Sequence, residues 1–318
     1  MDGFFRDHPL SLGEQSGDLL IHVANHEPST DDIDLHTARI RQEKSVHPAV
    51  IVAIGGGSSM DVGKAVANLL TNGGRAEAYQ GWDLVAKPGI YKIGIPTLSG
   101  TGAETSRTCV MLNRQKNLKL GMNSEHTIFD ALILDPDLTV TVPRHQYFYT
   151  GVDSYIHCIE SLHGRHRHAL ADAFSRQCLN LCQEVFLSDD MMSPHGREQL
   201  MVASYLGGCA IANSYVGVVH PLSAGLSIVL DLPHCLANCV VMDKMEAFYP
   251  EETAFFQRMC RKQGIEIPQG VCAGLDDEAF HRLYLSSIIH EKPLINALGP
   301  DYRDVLTEEK VGALFRRM

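Results

Sequence analysis

The sequence lacks any apolar run long enough to cross a membrane. Its longest apolar stretches, such as Val50–Ile54 and Ser227–Leu232, are far shorter than the roughly 20 residues that a bilayer requires. The first residues also lack the basic segment and the long apolar core of a secretory signal peptide. These absences lead us to expect a cytoplasmic protein with no membrane partner.

An excess of basic residues is also lacking. The chain has 27 Lys and Arg against 38 Asp and Glu, which gives a net charge of −11. Phosphate contacts need cationic side chains, so we expect no nucleic-acid partner. One local positive cluster, His163–His168, is either a solvated loop or a site that attracts an anionic substrate.

No CxxC motif occurs, and the number of cysteines, nine, is odd. We therefore expect no disulfide framework in this long chain without a secretory signal. Cys178 and Cys182 are four residues apart, as are Cys235 and Cys239. On helices this spacing puts both thiols on one face, and it is typical of buried structural thiols.

The length of 318 residues suggests two domains. In the first half, the continuous apolar run Ala49–Ile54 predicts a strand, and two short strands are predicted at Lys92–Ile95 and Ala131–Leu134. A helix is predicted from Ser58 through Leu70. This alternation predicts an α/β domain with a parallel sheet over residues 1–145. Residues 146–318 are predicted to form an all-helical domain, with helices at Gly151–Leu162, Ala169–Phe186, Arg197–Ala212, Leu236–Phe248, Thr253–Gln263, Asp277–His290 and Thr307–Met318.

Two glycine-rich loops follow predicted strands. In the first, Gly55–Asp61, glycine lets the backbone approach a phosphate, and the helix that follows offers free N–H groups. The second, Pro96–Thr101, is polar and lies where ligands bind in parallel sheets, beyond the carboxyl end of a strand. Either loop alone could be an ordinary connection, but together they predict a nucleotide phosphate site.

Four residues are candidate metal ligands because of their chemical type and their positions in the sequence. Asp153 and His157 lie at i and i+4 of a predicted helix, so both point to one face. His220 and His234 lie in apolar settings, where a lone histidine is more often a hydrogen-bonded core residue. One carboxylate with three imidazoles suits Zn²⁺ or Fe²⁺, and ligand chemistry alone does not separate the two.

These motifs resemble those of the iron-containing alcohol dehydrogenases over nearly the whole chain. Gly55–Ala65 is similar to the family's GGGSxxDxAKA turn, and Pro96–Glu104 to its PTTxGTGSE loop. Gly151–Glu160 resembles its GxDAxxHxxE helix, and His220 and His234 keep its fourteen-residue separation.

The resemblance implies a dehydroquinate synthase-like fold and a metal-dependent oxidation of an alcohol to an aldehyde, with hydride passing to NAD(P). The implied ligands of Fe²⁺ or Zn²⁺ are Asp153, His157, His220 and His234. The implied cofactor-binding residues are Asp2, Gly56, Gly57, Ser58, Thr97, Leu98, Thr101 and Lys119. Asp2 would contact the adenosine ribose, and Lys119 would lie near the nicotinamide ribose. No separate general base is assigned, and the family resemblance implies a homodimer or a larger assembly.

Two features depart from the family pattern. Many members have a second histidine four residues after the third ligand, thought to assist proton transfer, and this chain has Ala224 there. The family also has a strand–helix–strand stretch before the position that Asp2 occupies, so the first domain is expected to be short at its N-terminus.

The second half is similar to one branch, the 3-deoxy-D-manno-octulosonate 8-oxidases, on the strength of Gly164–His168 and Glu291–Pro300. That branch acts on an acidic sugar, whose carboxylate would suit cationic residues near a pocket. Another polyol dehydrogenase, a cyclase of the same fold and a non-catalytic nucleotide-binding relative remain as alternatives. The name of the branch implies oxygen as acceptor, whereas the glycine loops favour nicotinamide.

Overall fold

The computed structural model describes residues 1–13, 15, 17–24, 26–43 and 47–318. The chain divides into two compact units. The first comprises Met1–Leu98 and Ala103–Leu138, and the second comprises Ser99–Gly102 and Thr139–Met318. Among the described residues, no helix is both long enough and apolar enough to cross a membrane.

The first unit is a mixed α/β structure with a parallel sheet. Its helices and strands are α1 (Thr30–Glu43), β1 (Val50–Gly55), α2 (Gly57–Asn72), β2 (Gly81–Trp82), β3 (Tyr91–Pro96), β4 (Thr108–Asn113), β5 (Leu118–Asn123) and β6 (Ala131–Leu132). Strands β1, β3 and β6 form the parallel sheet in that order, with Ile54 opposite Ile95. The three strands expected from the sequence are those of this sheet.

Helix α2 packs closely on strand β1 because of a glycine. A Cβ atom at Gly63 would lie 2.6 Å from the Cβ of Ala53, closer than van der Waals contact allows. Gly63 therefore lets the helix approach the strand. The start of α2 is thereby held at the carboxyl end of the sheet.

The first unit also contains structure that the sequence analysis did not predict. Strands β4 and β5 pair antiparallel, and β2 joins β5 on its other side. Helix α1 was missed as well, because it is short of apolar residues and buries only Thr30, Ile33, Thr37 and Ile40.

The second unit is helical, in agreement with the all-helical domain predicted for the second half of the chain. Its helices are α3 (Arg144–His163), α4 (Ala169–Leu187), α5 (Pro194–Asn213), α6 (Val219–Leu230), α7 (His234–Met242), α8 (Pro250–Gln263), α9 (Asp277–Ile288), α10 (Glu291–Leu298), α11 (Tyr302–Val305) and α12 (Glu308–Phe315). Helices α6, α10 and α11 were not predicted, and α7 ends at Met242 rather than at Phe248.

Helix α3 starts at Arg144, so the predicted start at Gly151 was wrong. Gly151 lies inside the helix for a packing reason. A Cβ atom there would lie 2.7 Å from side-chain atoms of both Phe186 and Leu200. The helix is buried over most of its length, and buried polar side chains on such a helix need partners.

Candidate metal centre and cofactor-binding loops

Two polar side chains in the middle of α3 are buried in the second unit. Asp153 is 1% exposed and His157 is 3% exposed. They lie one turn apart on the same face, with His157 Nε2 3.6 Å from Asp153 Oδ1. A carboxylate buried to this extent is costly unless positive or hydrogen-bonding partners surround it.

Helices α6 and α7 bring two further imidazoles to this carboxylate. His220 Nε2 lies 3.3 Å from Asp153 Oδ1, and His234 Nε2 lies 3.7 Å from Asp153 Oδ2. One ligand atom from each of these three residues falls within 4.8 Å of the others. The ring of His157 stacks on that of His220, with centroids 4.8 Å apart. All four residues predicted as ligands therefore meet in one cluster.

A turn in the backbone positions His234 as the first residue of α7. Asp231 adopts a left-handed conformation with φ of 54° and ends α6. Pro233 is the N-cap of α7, a position where proline is tolerated because an N–H group there would have no partner within the helix. His234 is the most accessible of the four, with a side chain 33% exposed, whereas that of His220 is 12% exposed.

Glu160 supports this cluster, although the sequence analysis gave it no role. Its Oε2 accepts a hydrogen bond from Nδ1 of His220, and its Oε1 accepts one from the backbone N–H of Val219 at 2.5 Å. A carboxylate on Nδ1 fixes the proton there and leaves the Nε2 lone pair for a metal. The signal was present, since Glu160 is the last residue of the motif that contains Asp153 and His157.

The ionisation of the cluster follows from burial and from these contacts. Burial alone would raise the pKa of Asp153, but the imidazoles of His157 and His234 hold it well below its usual range. Burial lowers the pKa of His157 to about 4, against the opposing effect of Asp153. Burial would also lower the pKa of His220, but the carboxylates of Glu160 and Asp153 raise it to about 10. Asp153 is therefore an anion at neutral pH.

Asn238 is a second residue that the sequence analysis missed. It lies one turn after His234 on α7, and its Nδ2 donates to Asp153 Oδ1 at 2.6 Å. The same nitrogen is 3.4 Å from Nε2 of His220 and 3.3 Å from Nε2 of His234. An asparagine carries no metal signal by itself, and only its i+4 spacing from His234 could have indicated this position.

The cluster fits a divalent metal ion. A buried carboxylate and three imidazoles are ligands that Zn²⁺ and Fe²⁺ take. Two buried polar atoms of the cluster, Nδ1 of His157 and Oδ1 of Asn238, have no hydrogen-bond partner among the described residues. Buried polar atoms without partners are rare, and an absent ion is one of their recognised causes.

The first glycine-rich loop has the geometry of an anion site at the start of α2. Gly55 adopts φ of 150°, which side-chain-bearing residues rarely do. Gly56 is the N-cap of α2, and no described side chain caps the helix there. The first backbone N–H groups of α2, beginning with those of Gly57 and Ser58, are therefore available to an anion, and the helix dipole favours one.

Three other residues predicted to bind the cofactor lie around this loop. Asp2 accepts a hydrogen bond from Ser59 Oγ at 3.2 Å, and its backbone N–H bonds to the carbonyl of Ile54. The N–H of Thr97 bonds to Gly55 O at 3.0 Å. A Cβ atom on Gly56 would lie 2.7 Å from Leu98 Cδ1.

Lys119 and Thr101 are the two remaining residues predicted to bind the cofactor. Lys119 is on β5, where its Nζ lies 2.7 Å and 2.6 Å from the two carboxylate oxygens of Glu27. Thr101 belongs to the Ser99–Gly102 segment of the second unit. That segment is held by the hydroxyl of Ser154, which donates to Gly100 O at 2.7 Å. Their roles in cofactor binding stay predictions.

The positive cluster of residues 163–168 is a structured turn after α3. Arg167 pairs with Asp172 at 2.6 Å, and His163 pairs with Glu252 at 2.8 Å. Asn296 of α10 holds the turn through the backbone N–H groups of Arg165 and His166. The guanidinium of Arg165 lies against Gly299, where a Cβ atom would come within 2.5 Å of it.

The family profiles of known proteins match both units. The profile "Iron-containing alcohol dehydrogenase" matches residues 4–136, and "Fe-containing alcohol dehydrogenase family, C-terminal" matches residues 147–269. Sulfoacetaldehyde reductase of Bilophila wadsworthia is 34% identical over 67% of this chain and 55% of its own length. NAD-dependent methanol dehydrogenase of Bacillus methanolicus is 32% identical over 70% of this chain and 58% of its own. The chain thus spans less than two thirds of these relatives.

Solved structures share the fold. A 1,3-propanediol oxidoreductase superimposes with a TM-score of 0.80 at 23% identity, covering 93% of this chain and 83% of the other. Sulfoacetaldehyde reductase from Bifidobacterium kashiwanohense, solved with NAD⁺, also gives 0.80, at 21% identity, over 99% of this chain and 88% of the other. With both profiles matched and the four residues predicted as ligands gathered in one cluster, the chain belongs to the iron-containing alcohol dehydrogenase family.

Proposed function

We propose that this protein is a metal-dependent oxidoreductase that oxidises a primary alcohol to an aldehyde, with a nicotinamide cofactor as the hydride acceptor. The observation that carries the proposal is the buried cluster of Asp153, His157, His220 and His234. A cluster of the same residue types on the surface would not by itself indicate a metal site. Here the carboxylate is almost wholly buried, and a second carboxylate orients one of the imidazoles.

The residues of the cluster have separable tasks. Asp153, His157, His220 and His234 would hold the ion, and Glu160 keeps His220 in the tautomer that can bind it. A divalent ion at such a site lowers the pKa of an alcohol and stabilises the negative charge that develops on its oxygen. Position 224 contributes no acid or base, since alanine stands there. The alcohol proton must therefore leave through water or another group.

The start of α2 would hold the phosphates of the cofactor. The positive φ of Gly55 and the lack of a side-chain cap at Gly56 support this role. Two relatives add support by their names, since one is an NAD-dependent methanol dehydrogenase and the other was solved with NAD⁺. We choose nicotinamide over oxygen on these grounds.

For the substrate we propose the 8-hydroxyl of 3-deoxy-D-manno-octulosonate. The resulting aldehyde would serve amino-sugar and lipopolysaccharide synthesis, because an aminotransferase can act on it. The similarity of Gly164–His168 and Glu291–Pro300 to the branch of 3-deoxy-D-manno-octulosonate 8-oxidases supports this substrate, and one relative is named for sulfoacetaldehyde, which is also an anion. Another alcohol or polyol is the second candidate, favoured by the relatives named for methanol and 1,3-propanediol.

An anaerobic assay of nicotinamide reduction tests the proposal. Metal-free protein is reloaded separately with Fe²⁺ and Zn²⁺ and offered NAD⁺ or NADP⁺ with 3-deoxy-D-manno-octulosonate, and then with the same sugar bearing an alcohol in place of the carboxylate. We expect reduction that requires metal and a lower KM for the acid. Equal KM values would refute the acidic-sugar assignment while leaving the dehydrogenase intact.

Two variants complete the assay. His234→Ala removes a ligand and should abolish metal binding and activity together. His195→Ala is the matched control, since His195 is an exposed histidine of the second unit that lies 3.2 Å from Glu184. Turnover by the His234 variant without bound metal would contradict the proposed mechanism.

A further inference from the structure

Asn296 of α10 is completely buried, and both ends of its carboxamide are bonded to backbone groups. Its Oδ1 accepts a hydrogen bond from the N–H of His166 at 2.9 Å, and its Nδ2 donates to the carbonyl oxygens of Tyr215 and Val216, each at 3.1 Å. An asparagine amide has one oxygen that accepts and two hydrogens to donate. All of them have a backbone partner here, so three contacts fix the orientation of the amide.

These partners belong to two segments that are far apart in the sequence. His166 lies in the turn after α3, and the backbone carbonyl of Asn296 also accepts from the N–H of Arg165 in that turn, at 2.8 Å. A Cβ atom at Gly164 would lie 2.4 Å from the Asn296 side chain, so the turn packs directly on the amide. The two carbonyls that accept from Nδ2 lie in the connection between α5 and α6. Asn296 therefore joins the end of α3 to the segment that leads into α6.

The end of α3 and the start of α6 also carry a hydrogen-bonded pair of the metal cluster. Glu160 lies in the last turn of α3, and the first two residues of α6, Val219 and His220, both donate to its carboxylate. Gly217, in the connection before α6, packs on the same carboxylate, since a Cβ atom there would lie 3.2 Å from Glu160 Oε1. No described side chain caps the start of α6. The position of His220 relative to Glu160 therefore depends on how this connection is held.

We propose that Asn296 is a positioning residue of the metal centre. By holding the connection before α6 against the turn after α3, it keeps His220 in contact with Glu160. The inference rests on the proposed function, because it requires the cluster to bind a metal ion. It also gives one role to two sequence motifs, Gly164–His168 and Glu291–Pro300, which contact each other through this residue.

Competition with a chelator measures the metal affinity that the proposal concerns. The full chain is freed of metal and titrated with Fe²⁺ or Zn²⁺ as the parent protein and as two variants of Asn296. Asn296→Ala removes all three side-chain contacts, whereas Asn296→Asp keeps an acceptor for His166 and removes the NH₂ group that serves the two carbonyls. Circular dichroism and thermal unfolding of the metal-free proteins show whether each variant folds.

Asn68→Ala is the matched control. Asn68 is also an almost completely buried asparagine, but it lies in the first unit, where its Nδ2 is 3.4 Å from Met122 Sδ. Its loss should lower the unfolding temperature and leave the metal affinity at the parental value. The control thus separates a general loss of stability from an effect on the metal centre.

Both Asn296 variants should bind metal about 10-fold more weakly than the parent, as expected when the support of a metal-binding histidine is disturbed. A double-mutant cycle with Glu160→Gln then tests the route of the effect. If both residues act on the position of His220, their losses do not add. The variant with Asn296→Asp and Glu160→Gln together should bind metal no more than about twofold more weakly than Glu160→Gln alone.

Several results would overturn the inference. Parental affinity in Asn296→Asp, which decides the matter if Asn296→Ala does not fold, would reduce Asn296 to a residue that only stabilises the fold. An equal loss in Asn68→Ala would assign the effect to general destabilisation, and losses that multiply in the double variant would show that Asn296 acts independently of Glu160. A parent protein that takes up no more metal than His234→Ala would instead refute the proposed metal site itself.

Discussion

Replacing Glu160 by glutamine should weaken metal binding, because the carboxylate accepts hydrogen bonds from two donors at once. One oxygen accepts from His220 Nδ1 and the other from the N–H of Val219. A glutamine has one accepting end, so in either orientation its NH₂ group faces a donor. If that group faces Nδ1 of His220, the ring must carry its proton on Nε2, the atom that points to Asp153.

The loss of metal affinity in Glu160→Gln can be estimated in two ways. A buried polar group left without its partner costs about 1–3 kcal/mol. Loss of a carboxylate that orients a metal-bound histidine lowers metal affinity about 10- to 100-fold, equivalent to about 1.4–2.8 kcal/mol. The two estimates agree, so we expect an affinity loss of one to two orders of magnitude with little change in overall fold.

Competition with a chelator measures the affinity, and circular dichroism checks the fold. Glu184→Gln is the matched control, because Glu184 also contacts a histidine, His195, but on an exposed surface where both side chains are more than half accessible. It should bind metal as the parent does. Parental affinity in Glu160→Gln would refute the assignment of the tautomer.

Three further predictions concern other parts of the chain. Gly57→Val should weaken NAD⁺ binding steeply by blocking phosphate approach at α2, as titration calorimetry would show; unchanged affinity would refute the cofactor site. Gly100→Ala should lower the unfolding temperature, since Gly100 has φ of 143° and a Cβ atom would lie 1.6 Å from Thr150 O; an unchanged temperature would contradict this. Burial raises the pKa of Asp61 from 3.8 to about 6 against the effect of Lys64. Because the folded state then holds this proton to higher pH than the unfolded state, Asp61 makes the free energy of unfolding fall by about 3 kcal/mol as pH rises from about 4 to 6. Asp61→Asn should remove this pH dependence of the free energy of unfolding, measured by denaturant titrations across the same pH range. A pH dependence equal to the parent's would show that another group causes it.

The ligand cluster could be predicted because its signals are local or have fixed spacing. Asp153 and His157 share a helix face, and His220 and His234 have the family's separation. Asn238 could not be predicted in the same way, because its role depends on α7 starting at His234 and on the position of Asp153 across the helix interface.

The strands of the first unit likewise divide into those that could be predicted from the sequence and those that could not. The three strands of the parallel sheet were found, β1 from its continuous apolar run, whereas β4 and β5, which contain polar side chains such as Lys119, were not. The start of α3 was predicted at Gly151, seven residues after its start at Arg144. Gly151 is required by the side chains packed against it.

Transfer of deuterium from the substrate tests the central claim most directly. An alcohol substrate carrying deuterium on the carbon that bears the hydroxyl is incubated anaerobically with NAD⁺ and the metal-loaded protein, and the reduced cofactor is examined by mass spectrometry and NMR. Our account predicts one deuterium on the nicotinamide ring of the reduced cofactor, and none formed by His234→Ala. Reduced cofactor without deuterium, or the same transfer by protein shown to hold no metal, would contradict it.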